Sequence, residues 1–234
     1  MTTSSLVPNR LFHTNGFSTE KAKKLQLSLS KKVVREDRLS ERINYVAGVD
    51  VAYTDGHAIG AVAVLEYDTL KTVETRTSFQ AANVPYIPTF LSFREIPPVV
   101  SAINTLSIKP DVFLVDGHGF AHPRRLGFAS HLGLVVDAVT IGVAKSLLCG
   151  EIVDKETGGW KPIMHEGSTV GAAVYARPGV KPIYVSIGHK VSLETAIEIV
   201  KHCTKNYRIP EPIREAHKSA VERKILKTSK RVNA

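Results

Sequence analysis

The chain has 234 residues, 43% of them apolar, which suffices for one sizeable α/β domain and is short for two. Its 31 Lys and Arg against 22 Asp and Glu leave a formal charge of +9, a balance that favours an anionic partner such as nucleic acid. No apolar run reaches the roughly 18 residues of a membrane span and the N-terminus lacks the apolar core of a secretory signal, so no membrane association is expected. Cys149 and Cys203 stand alone, outside any CxxC pair, which excludes a disulfide framework or a zinc ribbon and fits a reducing, cytoplasmic compartment. The first 19 residues carry no acid and several Ser and Thr, a composition that leaves a transit peptide open. The expected organisation is a single domain over 1–234, with a loose N-terminus to about 17 and a basic tail from about 225; monomer is the default.

In chain order, Ala22, Leu25, Leu29 and Val33 recur at helical spacing and predict an amphipathic helix over 18–34. NYVAGVDVAY (44–53) reads as a strand carrying Asp50, followed by a turn at 54–57, a second strand AIGAVAVLEY and a third over about 71–79. Two prolines fix a loop around Tyr86. The spacing of Phe93, Ile96, Val99, Val100 and Ile103 then predicts a helix in which Pro97 and Pro98 are tolerable only near the first turn, so that Glu95 lies close to its start. DVFLV runs as a strand to Asp116, a short helix covers 129–137, and TIGVAK is a strand ending at Lys145. Short strands over 161–165, 169–176 and 181–186 are joined by the turns EGS and RPGV. A helix capped by Ser192 and a final helix in RIPEPIREAHKSAVERK complete the chain.

Asp50 interrupts an apolar strand, where an ionised group is costly without a cation or hydrogen-bond donors opposite it. Asp116 closes another, at the strand end where functional groups gather in open α/β sheets, and Gly117 and Gly119 permit close approach. With Glu95 these make three hard oxygen ligands suited to Mg²⁺ or Mn²⁺, unless they are unrelated solvated acids. In so basic a chain a metal between acids and phosphate has a use, since bare carboxylates repel a phosphodiester. Lys145 ends its strand as Asp116 does and is placed to offer an ammonium to a phosphate oxygen or an attacking water, or simply to reach solvent. His122 and His217 are candidates for acid, base or phosphate contact, or for ordinary structural histidines. Arg94, Arg124 and Arg125 are forked donors suited to phosphate. Tyr86, stiffened by Pro85 and Pro88, suits a wedge entering a base stack as well as a packed loop residue. The absence of GxxxxGK[ST], GxSxG and HExxH argues against a nucleoside-triphosphate enzyme, a serine hydrolase and a zinc protease.

Five blocks in order, VAGVDVAY, PYIPTFLSFRE, VDGHGFAHPRRLGFASHLGL, TIGVAKSLLCG and RIPEPIREAH, closely resemble the endonuclease V family over about residues 24–223. The resemblance implies a ribonuclease H-like α/β fold, a mixed central sheet flanked by helices, and Mg²⁺-dependent (or Mn²⁺-dependent) hydrolysis of DNA containing deoxyinosine. The implied cut falls at the second phosphodiester 3′ to the lesion and leaves 3′-hydroxyl and 5′-phosphate ends. Some members prefer inosine in RNA, so an inosine-specific endoribonuclease is the second reading, and a non-catalytic nucleic-acid binder the third. The resemblance implies Asp50, Glu95 and Asp116 as metal ligands, Lys145 and His217 as further catalytic residues, and Tyr86 and Pro88 as the wedge, with His122 in the HPRR block beside Arg124 and Arg125. It implies Leu91, Gly127 and Phe128 beside the base. It departs at Thr89, where relatives commonly have glycine; a Cβ there would narrow the pocket or restrict the wedge.

Overall fold

The computed structural model describes residues 17–155, 158–175 and 179–232. The expected loose N-terminus and part of the RPGV turn lie outside the described residues. Helices α1 (Thr19–Ser30), α2 (Leu91–Ile103), α3 (Phe128–Val136), α4 (Leu193–His202) and α5 (Glu211–Val232) flank a sheet of ten strands. The strands are β1 (Tyr45–Thr54), β2 (His57–Glu66), β3 (Thr72–Thr77), β4 (Gln80–Ala81), β5 (Val112–Asp116), β6 (Thr140–Ala144), β7 (Glu151–Ile152), β8 (Trp160–His165), β9 (Ser168–Val174) and β10 (Ile183–His189). Their order is β3-β2-β1-β5-β6-β10-β9-β8-β7, with β4 also paired to β2. β1, β5 and β6 are parallel and the remaining pairs antiparallel, so a short parallel centre lies between two hairpin-built wings.

Alternation along β1 decides what each side chain meets. Ala47 and Val49 join Val62, Phe113, Ile96, Val99 and Leu132 in the core under α2 and α3, whereas Val46 joins Leu114, Ile141, Val200 and Ile213 under α4 and α5. By the same period of two, Gly48 and Asp50 share the face of Val46, toward α5. A Cβ on Gly48 would stand 1.9 Å from the carbonyl oxygen of Pro212, so the glycine lets the α5 backbone rest directly on the strand. Gly60 on β2 does the same for α2: its Cβ would meet the Pro98 carbonyl carbon at 2.4 Å.

Several expectations needed revision. Helix α2 begins at Leu91, so Pro97 and Pro98 lie in its interior and Glu95 is one turn in from its start. Each proline removes a helical donor, a cost of about 3 kcal/mol. Burial of Phe93, Ile96, Val99 and Ala102 and the bond from Ser78 Oγ to the Pro98 carbonyl (2.7 Å) offset it. The expected basic tail is largely helical, since α5 runs on to Val232. Helix α1 starts where Ser18 caps it and stops at Ser30, short of the predicted end. The two-residue strands β4 and β7 were not anticipated, and β10 extends past Ser186 to His189.

Candidate active site and base pocket

Parallel pairing of β1 and β5 sets Val49 beside Val115, which brings the next residues, Asp50 and Asp116, to neighbouring strands on one face. Glu95 reaches the same locality from α2. Its carboxyl is pushed well above the usual range, first by burial, then by the negative charges of Asp50 and Asp116, with Arg94 opposing. Asp116 is raised by burial and by Asp50, against the pull of Lys145 and His217. Three acids far apart in sequence thus feel one another's charge. The Oε2 atom of Glu95 is buried and has no hydrogen-bond partner.

The two aspartates hold cationic company. Lys145 Nζ lies 2.5 Å from Asp116 Oδ2, and His217 Nδ1 lies 2.7 Å from Asp50 Oδ2. Arg208 secures the first pair from behind, donating through Nη2 to the carbonyl oxygens of Lys145 and Pro182, each at 2.6 Å. With these contacts in place, no three His, Cys, Asp or Glu among the described residues form a ready-made metal cage. The donor chemistry nonetheless fits a hard divalent cation: three carboxylates that repel one another in a buried setting, one oxygen of them unpartnered.

A second feature lies at the starts of α2 and α3. A cavity of about 260 Å³ is lined by Tyr86, Pro88 and Thr89 on one wall and by His122, Leu126, Gly127 and Phe128 on the other, with Leu91 between. Neither helix has a side-chain cap on its first turn, and the positive ends of both lie beside the cavity. Tyr86 projects at the rim, 68% exposed. All three residues expected beside the base line this cavity.

The basic residues are placed differently from the sequence expectation. Arg94 lies over the Tyr53 ring, 4.0 Å from its centroid, with Nε buried and unpartnered. Arg124 turns inward, lying over Phe90 and donating to Gln26 and Thr89. Arg125 binds His165 and Glu166. Arg124 and Arg125 thus tie loops together, whereas Arg94 packs α2 on β1. His122 is buried: its Nδ1 accepts from the Arg124 amide at 3.1 Å, so Nε2 carries the proton and donates to the Thr89 carbonyl at 3.1 Å. Burial and then the Arg124 charge hold its pKa down to about 4, which keeps it neutral. His118 bonds the Ser146 carbonyl and is lowered by burial. Sequence reasoning missed Gln26, Arg208 and the buried pair His131–Ser92 (3.0 Å). Only Gln26 left a readable signal, as a polar residue on the apolar stripe between Ala22 and Leu29.

The sequence profile described as Endonuclease V matches residues 27–218. An endonuclease V from Rippkaea orientalis is 52% identical over 207 residues, covering 87% of this chain and 90% of the relative. Among solved structures, the endonuclease V of Streptomyces avermitilis superposes with a TM-score of 0.83 at 37% identity, over 91% of this chain and 95% of that one. The Ciona intestinalis endonuclease V, solved with a 24mer DNA containing an inosine followed by a ribo-adenosine, superposes at 0.80 with 38% identity, over 89% and 98%. The mixed sheet and its helices have the ribonuclease H-like architecture of these neighbours.

Proposed function

The chain belongs to the endonuclease V family, and on that premise we propose that it is a metal-dependent nuclease that recognises deoxyinosine in DNA. It hydrolyses the second phosphodiester bond 3′ to the lesion and leaves 3′-hydroxyl and 5′-phosphate ends. It acts as a monomeric single catalytic domain in the cytoplasm; no described helix is long and apolar enough to cross a membrane. The observation that carries the reading is the buried, unpartnered oxygen of Glu95 beside Asp50 and Asp116. These three carboxylates would hold Mg²⁺, or Mn²⁺ in its place, which when bound supplies Lewis-acid polarisation of the phosphoryl oxygen and charge neutralisation at the scissile bond.

The chain's own residues do the rest. Lys145, already against Asp116, presents an ammonium to a phosphate oxygen near the acids. His217, against Asp50, stands where a proton can be taken from or returned to a water or a leaving oxygen. Tyr86 fills the gap left when the damaged base is rotated out of the stack, a role that needs an exposed aromatic on a stiff loop. The extruded hypoxanthine enters the cavity between the wedge loop and Phe128, where a backbone N–H can bond the ring carbonyl that adenine lacks.

A second reading, inosine-directed cleavage of RNA, is favoured by the ribo-adenosine that follows the inosine in the DNA bound by the Ciona relative. The deciding test places one inosine in DNA and in RNA strands of identical sequence, with Mg²⁺ or Mn²⁺, and maps the ends produced. Faster turnover of the RNA would transfer the assignment to the second reading. Binding of both strands without turnover in Mn²⁺ would sink the enzymatic reading.

A further inference from the structure

We propose that Gln26 is a positioning residue for base recognition: it latches the wedge loop to the base-pocket loop by holding Thr89 in a left-handed backbone conformation. The inference rests on the proposed role of the cavity as the base pocket.

Gln26 is 0% exposed, and its neighbours on the buried face of α1 are Ala22 and Leu29. A primary amide at such a position is costly unless its groups are bonded. Here they are, and to both walls of the cavity. Nε2 donates to the Thr89 carbonyl at 2.9 Å and to the Leu126 carbonyl at 3.4 Å, while Oε1 accepts from Arg124 Nε at 2.6 Å. The orientation of the amide is forced, because a guanidinium can only donate and a carbonyl oxygen can only accept. Thr89 follows the wedge, and Leu126 precedes the pocket glycine. Gln26 does not line the cavity itself, so it acts through the segments it ties together.

Thr89 explains why a tie is needed. Its φ is +68°, a region that a β-branched residue enters only under constraint. Such a conformation persists where its surroundings over-determine it, and the Thr89 carbonyl accepts from Gln26 Nε2, Arg124 Nη2 (3.0 Å) and His122 Nε2 (3.1 Å). Arg124 Nη2 also reaches Thr89 Oγ1 at 2.5 Å. Gln26 is the member of this set supplied from outside the pocket loops, and it also fixes Arg124. Without it, the wedge loop is freer to relax toward an ordinary backbone, carrying Pro88 and Tyr86 away from Phe128.

The test uses Gln26→Leu, which removes all three bonds at similar volume, Thr89→Gly, which removes the conformational cost, and the double variant. Full-length proteins are compared by hydrogen exchange and by cleavage of strands carrying inosine or adenine at one position. In Gln26→Leu, amides of residues 84–92 are expected to exchange roughly tenfold faster, with β8 and β9 unchanged. The preference for inosine over adenine should fall about tenfold, and Thr89→Gly in the same chain should restore most of it, because glycine adopts positive φ without help. Unchanged exchange at 84–92, or a loss that Thr89→Gly does not rescue, overturns the latch. Should Gln26→Leu fail to fold, Gln26→Glu, which keeps the contact to Arg124 and replaces the Nε2 donor to Thr89 and Leu126 by an acceptor, takes its place with the same expected exchange, preference and rescue. A wild-type protein that ignores inosine would defeat the functional reading, whereas the exchange measurement judges the latch without any cleavage.

Discussion

His122 makes a quantitative link between the pocket and stability. In the folded chain its pKa is held to about 4, by burial first and then by the Arg124 charge, against 6.5 for an ordinary histidine. The folded state therefore prefers the neutral ring, and stability present above pH 6.5 is lost as pH falls toward 4. A shift of 2.5 units corresponds to about 3 kcal/mol in the acid limit, and proton binding to this ring in the folded and unfolded states gives about 2 kcal/mol lost between pH 7 and pH 5. Gln at this position keeps a donor for the Thr89 carbonyl and does not titrate. Urea unfolding of the wild type and His122→Gln at pH 7, 6 and 5 should show the wild type losing about 2 kcal/mol more than the variant over that range. His131, lowered to about 3 by burial, is common to both proteins and cancels. Parallel pH dependence of the two would refute the buried neutral ring.

Further outcomes follow from the same geometry. Asp50→Ala and Asp116→Ala should lower metal-dependent cutting by more than ~100-fold, the upper loss seen even for residues that merely support a metal ligand; near-normal turnover in either would remove the acids from the mechanism. Glu95 has a raised pKa in the fold, so its ionisation costs stability as pH rises. Metal-free Glu95→Gln should therefore melt higher than wild type by a margin that widens with pH, while cutting is lost, and a margin that narrows contradicts the stated sign. Tyr86→Ala should weaken binding of inosine-containing duplex by roughly tenfold, the worth of one base stacked on an aromatic, and affect single-strand cutting less. Equal losses on both substrates would argue against a wedge. Gly48→Ala places a Cβ against the Pro212 carbonyl and should cost about 2–3 kcal/mol in thermal unfolding while displacing His217; an unshifted melt would mean that α5 moves freely on β1.

Much of the site was legible because each acid breaks a pattern. Asp50 and Asp116 stand out against β-branched strands, and the parallel register of β1 and β5 then brings them together without help from any local signal. Glu95 was singled out as a third hard oxygen ligand, but its distance along α2 was misjudged, because Pro97 and Pro98 argue locally for a helix start whereas burial of the apolar face and close packing on Gly60 keep the helix running through them. The arginines illustrate the opposite limit. Composition reveals a cation suited to phosphate, whereas whether Arg124 faces solvent or Thr89 depends on a glutamine 98 residues away. Long-range hydrogen bonds carry no periodicity, and short strands such as β7 hold too few residues to show any.

The order of the contributing segments has a consequence for a chain emerging from the ribosome. Asp50 on β1 waits for Asp116 until β5 docks beside it, and for His217 until α5, nearly at the end, settles over Gly48. A partly synthesised chain thus holds Asp50 without its His217 partner until the last described helix packs onto β1.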